Sequence, residues 1–281
     1  MREIHADTIR DAVAALAIRA NCHLPQDFLE LLRERSQTEP SAVGRDVLCQ
    51  LLENAGIAAR EEAPICQDTG LLVVFAEVGQ DVRIVGGAFE DAINAGVAKG
   101  YTEGYLRKSS VAEPLFERKN TQDNTPAIIH TRLVPGDKIH LKVAPKGAGS
   151  ENKGALYMLV PADGIEGVKR AVIETVRHAG SSPCPPMVIG VGIGGNMEKA
   201  CLCAKKACAR DIDSRNPDER YAKLEDELLE LINKLGIGPA GLGGRNTAFK
   251  VNIEFAPTHI ASLPVAVNLN CNAARHAEIE L

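Results

Sequence analysis

Three cysteines spread along the chain, Cys66, Cys184 and Cys271, each fall in a short polar loop rather than on an apolar face, in the settings PICQDTG, SSPCPPM and NLNCNAARH. If they act together, the fold must serve one centre from three distant loops. Iron–sulfur clusters usually take four cysteine ligands. A set of three therefore points to a four-iron cluster with one iron left open for chemistry. Any one of these cysteines alone is a weak signal; the weight lies in the same setting occurring three times. A zinc site using the same thiols with His259 or His276 is the alternative metal reading.

Composition narrows the partners. The chain has 281 residues, 45% hydrophobic and 25% charged, as in ordinary globular proteins. Aromatic residues make up 4%, Trp is absent and the net charge is −5. Base-stacking platforms and a phosphate-binding surface are thus not expected, and neither is a nucleic-acid partner. No stretch approaches the roughly 18–20 apolar residues of a membrane span. The opening MREIHADTIRDAVAALAIRA carries charges within its apolar part and no export cleavage pattern. The eight cysteines then read as thiols or metal ligands in a reducing compartment, and a cytoplasmic location is expected.

Periodicity predicts three helices in the first sixty residues. The first is capped by Asp7 and carries Ile9, Val13, Leu16 and Ala17 on one face; the second follows Pro25, and the third runs through VGRDVLCQLLENAGIAA. LLVVFAEVG reads as a strand paired with DVRIV. AIIHTRLV and DKIHLKVA read as a hairpin across Pro135, Gly136 and Asp137. Helices are predicted over AFEDAINAGVAKGYTEGYL, GIEGVKRAVIETVRHAG, NMEKACLCAKKACARD and residues 218–235, and an irregular segment over 107–125. Strands are predicted at PMVIGVGIGG, NTAFKVNIEFAP and THIASLPVAVNLNC. Without a regular βαβα alternation, the fold class is α+β: a helical N-terminal region, then mixed, largely antiparallel sheets with packed helices.

The remaining cysteines read as structural. Cys22 and Cys49 lie within helical periods as small buried hydrophobes. Cys201, Cys203 and Cys208 sit on one helix, with Cys203 pointing away from the other two, so one metal cannot take all three while the helix is intact. Asp68 reads either as an Asx-turn residue or as a functional carboxylate, and His259 as a satisfied, part-buried histidine or a site residue. Gly190, Gly192 and Gly195 fit the dinucleotide pattern GxGxxG, with Asp211 and Asp213 downstream, which gives an NAD(P)-binding alternative. Against it, a helix rather than a second parallel strand is expected next. A non-catalytic sensor or scaffold subunit is a further alternative, disfavoured by the polar side chains crowded into PICQDTG and PKGAGSENKG.

Four segments, PICQDTG at 64–70, PKGAGSENKG at 145–154, CPPMVIGVGIGG at 184–195 and HIASLPVAVNLNCNAARH at 259–276, together resemble the α subunit of the iron–sulfur class I fumarases and L-tartrate dehydratases. The resemblance spans nearly the whole chain in order. It implies one catalytic α-subunit domain over 1–281, helical to about residue 60 and cluster-binding α+β from about 61. It implies that Cys66, Cys184 and Cys271 bind a [4Fe–4S] cluster whose open iron acts as a Lewis acid. It gives Asp68 the proton transfer, with His259 as its polar neighbour, and gives substrate contacts to Gln67, Arg107, Gly147 and Gly149. Because the chain stops ten residues after Cys271, while single-chain members continue, a β subunit and an α2β2 assembly are expected. Fumarate, mesaconate and L-tartrate chemistries share this subunit type. Hydration of fumarate to L-malate, the commonest activity of the family, is the expectation.

Overall fold

Helical periodicity and strand alternation both find their partners in the computed structural model, which describes residues 1–281. The chain forms two units, each assembled from separate stretches. The first comprises Met1–Pro25, Asn54–Gly147 and Arg275–Leu281, and the second Gln26–Glu53 and Ala148–Ala274. The N-terminal helices are shared between them. The α+β class is as expected, with mixed sheets.

In the first unit, β1 (Arg2–His5) leads into α1 (Ala6–Cys22), whose predicted apolar face is buried. The cap is His5 rather than Asp7: the Asp7 N–H donates to His5 Nδ1 at 3.2 Å, so the helix starts one residue before Asp7. Strands β2 (Leu71–Gly79) and β3 (Val82–Val85) precede α4 (Phe89–Glu103), followed by β4 (Ile128–Val134) and β5 (Ile139–Lys146); β10 (Ala277–Glu280) comes last. Helix α4 packs closely on α1 because it carries glycine there: a Cβ on Gly96 would lie 2.5 Å from the Arg10 carbonyl oxygen, and one on Gly100 2.9 Å from that of Ala14.

The strands are where predicted, but two pairings differ. β3 pairs in parallel with β1, not with β2. β4 and β5 do not form a hairpin; β2 lies between them, parallel to β4 and antiparallel to β5, in the order β10-β5-β2-β4. The reason is visible at the turn. Gly79, Gln80 and Asp81 donate to the carbonyls of Lys138, Val134 and Gly136, so the end of β2 occupies the gap a hairpin would close.

The second unit holds α2 (Gln26–Thr38), the first part of α3 (Ala42–Glu61), the short α5 (Ala148–Glu151), β6 (Ala155–Leu159), α6 (Gly164–Ala179), β7 (Met187–Gly194), α7 (Met197–Cys208), α8 (Glu219–Asn233), β8 (Ala248–Ala256) and β9 (Leu263–Asn270). Its sheet runs β6-β9-β7-β8 and repeats the pattern of the first: two antiparallel pairs, then one parallel pair. As expected, a helix (α8) and not a strand follows α7; a parallel partner of β7 comes only after it, as β8. The glycines that suggested a dinucleotide turn do other work. A Cβ on Gly190 or Gly192 would overlap the backbone oxygen of Ala204 or Ala200. Their bare backbone is what lets α7 rest directly on the sheet.

Candidate functional site

The sequence PICQDTG forms the turn that leads into β2, and side chains from four separate places, three of them buried, hold its backbone. The Ile65 N–H donates to the Asn21 carbonyl at 2.9 Å, and the Ile65 carbonyl accepts from Asn54 Nδ2 at 2.9 Å. Arg275 Nη1 donates to the Asp68 carbonyl at 2.9 Å. Tyr101 Oη donates to the carbonyls of Thr69 and Gly70, at 2.9 and 3.0 Å, and Asn124 Nδ2 also reaches Gly70 at 3.0 Å. Every carbonyl from Asp68 to Gly70 thus has a buried partner, as backbone removed from water requires. Burial pushes the Tyr101 phenol well above its usual range, so it stays a neutral donor. Gly70 has φ of 70°, and a Cβ there would lie 2.5 Å from the Lys146 backbone; only glycine fits that crossing.

Within this frame Cys66 is part-exposed and Gln67 exposed. The Asp68 N–H points at Cys66 Sγ at 3.4 Å, the kind of donor that supports a sulfur carrying negative charge. Asp68 Oδ1 accepts the Gly70 N–H at 3.0 Å, so the Asx turn forms. The second oxygen, Oδ2, lies on the Gly147 side, 3.0 Å from where a Cβ on that residue would stand. The turn and a chemical role are therefore compatible: one oxygen holds the loop while the other faces a glycine. The Thr69 hydroxyl donates to the Arg107 carbonyl at 3.2 Å, which ties the irregular 107–125 segment to the same turn and leaves the Arg107 side chain exposed.

The second unit carries Gly149, Cys184, His259 and Cys271. Cys184 is exposed and adopts φ of 54° between Pro183 and Pro185, an uncommon conformation for a non-glycine residue, of the kind found at functional sites. Its carbonyl accepts both the backbone N–H and the side-chain amide of Asn272, at 3.1 and 3.0 Å, which locks the Cys184 loop to the Cys271 loop. Gly149 lies beside them: a Cβ there would be 3.4 Å from the Ser182 carbonyl oxygen. Behind the loop, Ala240 N–H donates to the Pro185 carbonyl at 2.8 Å, from a glycine-rich stretch that runs on to Asn246. The buried Glu39 carboxylate anchors that stretch, accepting the N–H groups of Arg245 and Asn246 and the Asn246 side chain, together with the N–H of Ser41. Burial alone would raise its pKa, but these donors outweigh burial and hold it below the ordinary carboxylate range. His259 is exposed rather than part-buried. Its Nδ1 accepts the Ala261 N–H at 3.1 Å, which fixes the ring by one nitrogen.

The other cysteines separate cleanly by environment. Cys22, Cys203 and Cys208 are buried, and burial pushes the thiols of Cys22 and Cys203 up, away from the thiolate form a ligand needs. Cys49 is exposed, contrary to expectation, because α3 turns Leu48, Ala55 and Ala58 inward instead. Cys203 and Cys208 both fall within the broad face that α7 lays on the sheet, and Cys201 lies outside it. None of the eight forms a disulfide. Cys66 in the first unit, and Cys184 and Cys271 in the second, are the cysteines that lie in loops and are not buried. Within neither unit do three His, Cys, Asp or Glu side chains already gather around a metal position. Sequence reasoning missed Arg275, Tyr101, Asn124 and Glu39. Only Arg275 had a local signal, its place at the end of the NLNCNAARH segment.

No helix is long and apolar enough to cross a membrane. Comparison with known proteins gives a consistent picture. A family model described as fumarate hydratase (Fumerase) matches residues 10–280. A protein of Methanocaldococcus jannaschii with the provisional name L(+)-tartrate dehydratase subunit alpha is 43% identical over 279 residues, covering 96% of both chains. The L(+)-tartrate dehydratase subunit alpha of Escherichia coli strain UTI89 is 31% identical over 277 residues, 97% of this chain and 90% of its own.

Proposed function

Because the chain belongs to the fumarate hydratase (Fumerase) family, we propose that it is the α subunit of an iron–sulfur hydro-lyase that acts on a short dicarboxylate and works with a β subunit. Cys66, Cys184 and Cys271 are the residues that would hold a [4Fe–4S] cluster; when bound, the cluster supplies a Lewis-acidic iron with an open position. The observation that carries this reading is the Asp68 turn. A carboxylate two residues from a part-exposed cysteine is held by the Gly70 N–H, with its carbonyl held by Arg275, while one of its oxygens faces the backbone of Gly147.

The chain's own residues then divide the work. Asp68 gives or takes the proton at Oδ2, the oxygen not held by the Gly70 N–H, and fixed geometry is what makes such a transfer efficient. Arg107 offers an exposed guanidinium, which makes no ion pair within the chain, to a substrate carboxylate. Gln67 supplies neutral polar contacts from the same turn. Gly147 and Gly149 leave room for an anionic group to approach the backbone. His259, oriented through Nδ1, has Nε2 for proton exchange or for a carboxylate partner.

The relatives' names favour L-tartrate and the family description favours fumarate. The test is to co-express the chain with a β subunit anaerobically, measure iron and sulfide, and assay L-tartrate, fumarate and mesaconate. Dehydration or hydration of one of them is expected, with cluster iron lost in Cys66→Ser, Cys184→Ser and Cys271→Ser but kept in Cys201→Ser. Full iron in the three loop variants, or no turnover of any of the three acids, would sink the reading.

A further inference from the structure

Arg275 is only 2% exposed and ranks among the largest fully buried side chains, yet no carboxylate pairs with it. Its hydrogen-bond partners are two neutral oxygens, both reached by Nη1: the Asp68 carbonyl at 2.9 Å and the Asn21 amide oxygen at 3.0 Å. Its buried Nε has no partner. Buried guanidinium groups are normally neutralised by a carboxylate, because removing a lone charge from water is costly. Here the cost is borne without that return, so the guanidinium is kept for something other than a salt bridge.

We propose that Arg275 is a positioning residue for the reaction: it sets the Asp68 turn from behind while leaving the Asp68 carboxylate itself unclaimed by the guanidinium. The proposal rests on the hydro-lyase reading above for its functional half and on geometry alone for its structural half. Asn21, the other partner of Arg275, is itself held by Nδ2 to the Ala17 carbonyl at 3.0 Å, so the chain of bonds ends on helix α1. The place where a Gly147 side chain would stand is flanked by Asp68 Oδ2 at 3.0 Å and Arg275 Nη2 at 3.6 Å. The two charged groups border the same small space but form no ion pair across it. A bond to the Asp68 carbonyl fixes the turn that carries the carboxylate without a direct pair between the two charged groups. A guanidinium suits this because one planar head reaches two acceptors at set angles, which an ammonium does not.

The test uses Arg275→Met, Arg275→Lys and Arg275→Ala in the full chain with its β subunit. Two readouts are followed: amide exchange at Gly70, whose N–H is held by Asp68 Oδ1, and kcat against KM on the substrate turned over by wild type. In Arg275→Met, Gly70 exchange should rise by about tenfold or more, as for a lost buried hydrogen bond, while β5 amides keep their protection. kcat should fall by about 100-fold with KM little changed, the signature of a misplaced group. Millimolar methylguanidinium should restore both in Arg275→Ala, and Arg275→Lys should remain impaired. Unchanged Gly70 exchange and kcat in Arg275→Met would overturn the proposal. So would a general loss of protection, β5 included, that methylguanidinium does not reverse, since Arg275 would then be core filling. If wild type turns over none of the acids but Gly70 exchange behaves as described, the hydro-lyase reading fails and the positioning of the turn stands.

Discussion

The Cys66 loop and the Cys184 loop are stiffened by opposite means. Around Cys66 the chain is plain, and the rigidity is imported by side chains from distant positions: Asn54, Tyr101, Asn124 and Arg275 each take a carbonyl of the turn. Around Cys184 the rigidity is written into the backbone, by flanking prolines and a left-handed φ, with Asn272 and the glycine-rich stretch behind it as supports. The first loop is therefore exposed to substitutions far away in sequence, and the second to changes in its own backbone and that of its support.

This contrast can be broken from either side. The largest effect is expected on the second unit, where Glu39→Ala would orphan the N–H groups of Ser41, Arg245 and Asn246 and the Asn246 amide. At about 1–3 kcal/mol per unsatisfied group, and with partial relaxation, a loss of about 4 kcal/mol is expected, read from the shift of the urea midpoint. Exchange at Ala240 should rise with it while Gly70 stays protected; equal loosening of both loops would abolish the distinction. Gly192→Ala comes next, at about 1–3 kcal/mol or somewhat more, because the added methyl overlaps the Ala200 oxygen and must lift α7 from β7. Thermal unfolding would show it, and an unchanged Tm would mean the glycine is not a packing requirement.

Tyr101→Phe is the complementary change in the first unit. It removes the one hydroxyl bonded to Thr69 and Gly70, at a cost of about 1–2 kcal/mol, and should speed exchange at the Cys66 turn without touching Asn272. The smallest effect concerns pH. The Glu39 carboxyl is held below its ordinary range in the folded chain. Its contribution is therefore present above the unfolded carboxylate pKa and is lost as pH falls through the lower folded value. Wild type should accordingly lose more stability than Glu39→Gln between about pH 5 and pH 3; parallel acid limbs in the two proteins would contradict this.

Much of the scaffold was legible from the chain. Helices and strands declare themselves through period, and the contrast between Cys66, Cys184 and Cys271 in polar loops and Cys203 or Cys208 on a packed helix survives in three dimensions. Neighbour relations were not legible. Alternation in AIIHTRLV and DKIHLKVA marks two strands and a turn between them, but cannot reveal that β2 lies between the pair. A glycine pattern is equally ambiguous, since an approaching phosphate and an approaching helix both require a missing side chain; Gly190 and Gly192 answer the second need. Arg275 and Glu39 escaped because each acts on a segment roughly two hundred residues away, at Asp68 and at Arg245 respectively.

The interleaving of the two units also sets a timetable. Asp68 is made early, but the arginine that fixes its turn lies in the stretch Arg275–Leu281, which returns to the first unit after the second has been laid down. At ribosomal speeds the delay between them is on the order of 10–40 s. Throughout that interval the loop bearing Cys66 lacks one of its clamps, and the clamp arrives four residues after Cys271. The nascent chain thus cannot set its Cys66 loop in final form until Arg275 has been synthesised, after both Cys184 and Cys271.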